Sequence, residues 1–250
     1  MPELRAIPVP GIPEINPGDR IAPLILAALN QSNTALAARD ILVVTHKIVS
    51  KAEGALVALD SIQPSRWARG WAKRFHLDAR VTQLALSQAQ RVVRRKNGVI
   101  ITETAHGLVC ANSGVDVSNV DGGRNAVLLP RDPDGSARRL HRELKASLGF
   151  AVPIIITDTF GRPWREGLTE VAIGVAGMKP FRDFRARRDA HGYHLRVTLE
   201  AVADELAGMA GLACGKLSGI PVCIIRGFEF ETGRGSAREM IREAKRDLFR

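Results

Sequence analysis

Apolar positions along this chain fall into short unbroken runs, separated by stretches in which they recur every three or four residues. The first pattern marks buried strands and the second marks one-faced helices. Strands are expected at Ile41–Thr45, Val99–Thr102, Val152–Thr157, Leu168–Gly177 and Val222–Ile225. Asp19 can cap a helix that carries Ile21, Leu24, Ile25 and Leu29 on one side. A second helix is expected from Asp78, with Val81, Leu84 and Val92 on its inner face. Arg91, Arg94, Arg95 and Lys96 would close it, where cations suit the helix dipole. Ser136 opens a third, with Leu140, Leu144 and Leu148 in one stripe and Gly149 as its stop. Thr198–Leu212 reads as a helix with Val202, Leu206 and Met209 inward. Ser236 and Glu239 have capping-box spacing ahead of a terminal helix presenting Met240, Ile241, Ala244 and Leu248.

Strands and helices alternate too unevenly for a regular doubly wound sheet. The expected class is α+β, mixed sheets with helices, in a single domain over 1–250. No internal repeat or low-complexity linker divides the chain.

Between these elements lie polar segments with chemical potential. Pro8–Pro13 is rich in proline and glycine. His46 to Gly54 is rich in donors. Asn112 to Asn119 has the small polar residues that let backbone approach a ligand. The run ending Thr157-Asp158-Thr159 places a carboxylate and a hydroxyl at the rim of a core, followed by Gly161-Arg162-Pro163 and then Arg165. Asp158, Thr159 and the distant Asp116 offer hard oxygens that suit a divalent cation, or they serve only to shape turns. Arg162 and Arg165 suit an anion. The phosphate-cradling loops of standard nucleotide folds are absent. Phosphate binding would therefore use another architecture, with Gly11, Lys47–Lys51 and Cys214-Gly215-Lys216 as candidates. His191 and His194 lack partners in any zinc pattern and read as a polar loop. Arg182, Arg185, Arg187 and Arg188 form a basic run that suits either solvent or an acidic ligand.

Composition narrows the partners. The chain has 250 residues, a formal charge of +10, three cysteines and one tyrosine. The basic balance favours anionic partners. Isolated cysteines in odd number fit a reducing cytoplasm. No stretch is long and apolar enough to suggest a membrane span, and no signal peptide is expected. The scarcity of aromatics argues against an RNA-binding module, which would need stacking platforms among its arginines.

Six blocks carry a resemblance, in order and over nearly the whole chain. They are Pro10-Gly-Ile-Pro-Glu14, Thr45-His-Lys-Ile-Val-Ser-Lys-Ala-Glu-Gly54, Asn112-Ser-Gly-Val-Asp-Val-Ser-Asn119, Thr157-Asp-Thr-Phe-Gly-Arg-Pro-Trp-Arg-Glu-Gly167, Ala201-Val-Ala-Asp-Glu-Leu206 and Gly219-Ile-Pro-Val222. Together they resemble the coenzyme F420-0:L-glutamate ligases, the gamma-glutamyl ligases.

The resemblance implies two interlocked α+β lobes and a cytoplasmic homodimer. It implies a GTP-dependent ligase that adds L-glutamate to coenzyme F420-0, or a related phosphodiester deazaflavin, and extends a gamma-linked tail. Two divalent ions, magnesium or manganese, are implied, with potassium as a further candidate. Asp116, Asp158 and Thr159 match the metal ligands. Gly11, Ile12, Pro13 and Glu14 match a nucleotide-binding loop, and Lys51 and Asn119 match GTP contacts. His46 stands where many relatives carry a serine that contacts nucleotide. Lys216 stands where some carry a glutamine near the second metal, and it is not counted in the metal set. Arg162 and Arg165 are expected to meet the acceptor carboxylate or the transferred phosphate. A ligase of the same mechanism acting on another acidic acceptor is the alternative. No nucleic-acid or membrane partner is expected.

Overall fold

The protein is described by a computed structural model covering residues 3–118 and 121–248. It begins with β1 (Arg5–Pro8), α1 (Ile21–Gln31), β2 (Ile41–Thr45), α2 (His46–Ala52) and β3 (Leu56–Ala58). Then come α3 (Arg66–Phe75), α4 (Ala79–Ser87), β4 (Ala89–Lys96), β5 (Val99–Thr104), β6 (Val109–Ala111) and β7 (Asn125–Val127). The second half holds α5 (Pro133–Leu148), β8 (Ile154–Arg162), β9 (Arg165–Ala176), β10 (Arg182–Asp183), β11 (Leu199–Glu200), α6 (Val202–Cys214) and β12 (Val222–Arg226). The class is α+β, as the uneven alternation of elements implies.

A mixed five-stranded sheet in the order β1-β12-β2-β8-β9 organises the molecule. Only β2 and β8 run parallel. Its central strands are apolar on both faces because both faces are covered. On one face Leu42, Val44, Ile154 and Ile156 meet α1, α2 and α5 through Ile25, Leu29, Ile48, Val49, Leu140 and Leu144. On the other, Ile41, Val43, Ile155 and Ile225 meet α6 through Val202, Ala203, Leu206 and Ala210. A smaller antiparallel sheet, β4-β5-β6, lies beside α3 and α4, and β3 pairs with β7.

The contact between α5 and the sheet depends on one glycine. A Cβ at Gly174 of β9 would lie 2.5 Å from the carbonyl oxygen of Pro133. Pro133 suits the first turn of α5, and Gly149 ends that helix at φ 80°.

Several elements depart from the expectations above. The helix from Asp78 stops at Ser87, and the basic run Arg91–Lys96 lies on β4. Asp78 does cap α4, accepting from the Arg80 amide. The strand wins because Asn97 (φ 51°) and Gly98 (φ 81°) make a two-residue hairpin that pairs Lys96 with Val99. Arg91 therefore meets Glu103 across the ladder instead of a helix dipole.

Asp19 does not cap α1. Its carboxylate accepts from the Asn16 amide, and the helix starts after Arg20 with no side-chain cap. The stretch from Thr198 splits into β11 and α6. The terminal helix is reduced to the 3-10 turns Ala237–Met240 and Ala244–Arg246, although Ser236 still accepts from the Arg238 amide. The donor-rich segment His46–Ala52, given no conformation above, folds as a helix.

Candidate active site

β2 and β8 run side by side, with Thr45 opposite Thr157. Past that point β2 turns into α2, while β8 continues toward its hairpin. The start of α2 and the polar end of β8 therefore face each other. His46 is 1% exposed, and its Nε2 lies 3.2 Å from Asp158 Oδ1. That contact is too poorly aligned for a hydrogen bond, so Nε2 is a buried nitrogen without a hydrogen-bond partner. The other ring nitrogen, Nδ1, meets Ser50 Oγ at 3.2 Å. Asp158 Oδ1 also accepts from the Thr159 amide at 2.7 Å.

The next residue of α2 holds the second carboxylate. Lys47 Nζ lies 2.8 Å from Asp116 Oδ2 and donates to the Ser118 carbonyl and hydroxyl at 3.1 and 3.0 Å. The Ser118 amide donates to Asp116 Oδ1 at 2.6 Å. Consecutive side chains of α2 thus meet two carboxylates that are distant in sequence: His46 lies against Asp158, and Lys47 pairs with Asp116. Cys110 of β6 lies near Asp158: burial, reinforced by the charge of that carboxylate, pushes its thiol up to about 12.

Burial alone would raise the pKa of Asp116. The Lys47 hydrogen bond and those from Ser118 outweigh it and hold the carboxyl below its ordinary 3.8. A carboxylate depressed in the folded state contributes stability above 3.8 and loses it as pH falls through the folded value. The stability advantage of the native chain over Asp116→Asn should therefore be full near neutral pH and vanish in acid. Urea unfolding of both proteins across that range measures it. An advantage that persists in strong acid would exclude this linkage.

Thr159 faces the other way, because neighbouring residues of a strand point to opposite sides of the sheet. Asp158 shares its side with Ile156 and Phe160, and Thr159 lies on the α6 side. Its hydroxyl donates to Glu170 Oε1 at 2.6 Å and accepts from Lys216 Nζ at 3.0 Å. Glu170 lies directly opposite on β9.

The opening segment reaches α2 as well. Lys51 Nζ donates to Glu14 Oε1 at 2.5 Å. Gly11 takes φ 82°, open to glycine, while Ile12 packs against the main core and Pro13 is exposed. Arg162 and Arg165 pair with each other at the hairpin tip, where Arg162 donates to the Glu166 carbonyl and Trp164 is 79% exposed. Four residues of strand put Arg162 about 14 Å beyond Asp158. Asn119 lies outside the described residues.

The fold thus gathers Asp116, Asp158, His46, Lys51 and Glu14 around α2 and the end of β8, turns Thr159 to the opposite face of the sheet, and leaves Arg162 and Arg165 outside. Sequence reasoning missed Lys47, Ser118 and Glu170 as partners. A cavity of about 680 Å³ lies elsewhere and is lined by Arg20, Glu53, Ser136 and Arg139. The charged carboxylate cluster fits a polyanion with a cation better than an apolar ligand. Among the described residues no three histidine, cysteine, aspartate or glutamate side chains form a metal-binding group. Two carboxylates still fit a magnesium-type ion, which takes one or two of them and fills its shell with water and phosphate oxygens.

Carboxylates on a mixed α+β scaffold, beside lysines and a glycine-proline loop, suit a phosphate-bearing ligand with a cation. The family model described as F420-0:Gamma-glutamyl ligase matches residues 11–227. Proteins named Coenzyme F420:L-glutamate ligase from Methanothermobacter thermautotrophicus and Methanopyrus kandleri are each 44% identical to this chain. Coverage is 99% of both chains for the first, and 100% of this chain and 99% of the relative for the second. One from Methanocaldococcus jannaschii is 42% identical over 84% of each chain. The chain belongs to the F420-0:gamma-glutamyl ligase family.

Proposed function

We propose that this chain joins L-glutamate to the deazaflavin coenzyme F420-0 at the expense of GTP and extends a gamma-linked glutamate tail. The names of its relatives support the substrate pair. The observation that carries the chemistry is that the consecutive residues His46 and Lys47 lie against Asp158 and Asp116, two carboxylates distant in sequence.

A free carboxylate is a poor acylating agent because its oxygen leaves badly. In this reading the acceptor carboxylate attacks the γ-phosphorus of GTP. The bond from that phosphorus to the bridging oxygen breaks, and GDP departs. The amine of glutamate then attacks the acyl carbon, the carbon–oxygen bond to phosphate breaks, and the amine gives its proton to solvent. Each step brings anionic oxygens together, so catalysis is chiefly positioning and charge neutralisation.

Asp116 and Asp158 would hold a magnesium or manganese ion, which supplies positive charge to the phosphate oxygens when bound. Lys47 and Lys51 act as point charges toward the phosphates. His46 fixes Asp158 from the buried side. Gly11–Glu14 and Lys51 form the nucleotide edge. Arg162 and Arg165 suit a remote anionic group of a long acceptor better than the transferred phosphate. The same reading takes the working form as a cytoplasmic homodimer with no nucleic-acid or membrane partner. Among the described residues no helix is long and apolar enough to cross a membrane.

The test is incubation of the full chain with GTP, glutamate, manganese and the deazaflavin acceptor. Mass spectrometry should show the acceptor gaining glutamyl units in step with GDP release. Glutamyl transfer that runs equally well without GTP, or GDP release with no change in the acceptor, would overturn it.

A further inference from the structure

We propose that Lys216 is a built-in cation at the Thr159 corner, so that this chain binds one divalent ion with its nucleotide and uses an ammonium group in place of a second. The inference rests on the reading above and concerns how the charge of that site is supplied.

The alternation of β8 sends Asp158 and Thr159 to opposite faces of the sheet, so one ion bound closely by Asp158 is poorly placed to take Thr159 as well. The threonine hydroxyl has one proton and gives it to Glu170 at 2.6 Å. Its lone pairs are left to meet a positive group, and Lys216 Nζ takes that position at 3.0 Å.

Both neighbours are fixed by the fold. Glu170 is pressed from above by α6, where a Cβ on Gly211 would come within 2.5 Å of its Cγ. Lys216 emerges just past the end of that helix. Gly215 (φ 67°) and Gly219 (φ 69°) turn the backbone on either side of it. Glutamate and lysine thus balance each other across a neutral hydroxyl, so this corner lacks the two carboxylates that draw an ion to Asp116 and Asp158, and the ammonium already fills the position an ion would take.

Lys216 is exposed, so its replacement does not threaten the core. The experiment counts manganese ions bound per chain by electron paramagnetic resonance at saturating GDP, for the full chain and for Lys216→Gln and Lys216→Arg. The expected counts are one for the native chain, two for Lys216→Gln and one for Lys216→Arg. Two ions on the native chain would overturn the inference while leaving the proposed function intact. One ion on both the native chain and Lys216→Gln would also overturn it, because the ammonium would not be what excludes the second. No ion on the native chain would instead sink the divalent-ion role assigned to Asp116 and Asp158, and this inference with it.

Discussion

Asp158→Asn should lower the proposed GTP-dependent glutamate addition about a thousandfold, a loss of about 4 kcal/mol of transition-state stabilisation. The change is nearly isosteric. Asparagine keeps a carbonyl oxygen for the Thr159 amide, which donates to Asp158 at 2.7 Å. It removes the charge that faces His46 and, in the proposed reading, the ion on the phosphates. Folding should change little, because Asp158 sits at the rim of the core and not within it. Turnover measured beside a thermal melt separates the two effects. A folded variant with turnover within about threefold of the native chain, or about 0.7 kcal/mol, would remove Asp158 from the mechanism. The same loss accompanied by unfolding would make Asp158 a structural residue.

Asp158 was legible in the sequence because it ends a fully apolar run, and a carboxylate at such a point must sit at a core boundary. β2, β12 and the inner halves of β8 and β9 were legible for the same reason: strand segments covered on both faces carry almost no polar residues. β4 was misread because Val92 and the arginines also fit a helical spacing. The Asn97-Gly98 hairpin that decides the matter is only two residues long. β1 and α2 were hidden by proline and by polar side chains, and their conformation is set by the sheet they join.

The site was half legible for a different reason. Asp116, Asp158 and Thr159 stood out as residue types, but their partners depend on register. Ile156 pairs with Gly174 and Thr157 with Ala172, so β9 carries an extra residue, Ile173, at a bulge. That single residue puts Glu170 opposite Thr159; without the bulge Val171 would stand there. No local pattern announces such a shift. Lys47 likewise gains its meaning only when β2 and β8 are aligned.

The largest expected effect on stability belongs to Asp134, a residue that looks like an ordinary helix-start carboxylate. It is 3% exposed in the first turn of α5. Its Oδ1 accepts from the amides of Val175 and Ala237, each at 2.8 Å, and its Oδ2 accepts from the Ser236 hydroxyl. One carboxylate thus ties α5, β9 and the C-terminal segment together. Asp134→Ala leaves two amides without their acceptor, at about 1–3 kcal/mol each where they stay buried, offset in part by relief of a buried charge. The net cost is about 3–5 kcal/mol, which lowers the unfolding temperature of a chain of this size by about 10–15 °C. Asp134→Asn should lose only about 1 kcal/mol, because its single carbonyl oxygen can keep both amide bonds while its amino group faces Ser236. Calorimetry of the pair tests whether lone pairs or charge holds this junction. Equal losses for alanine and asparagine would show that the negative charge, and not acceptance by one oxygen, carries the stability.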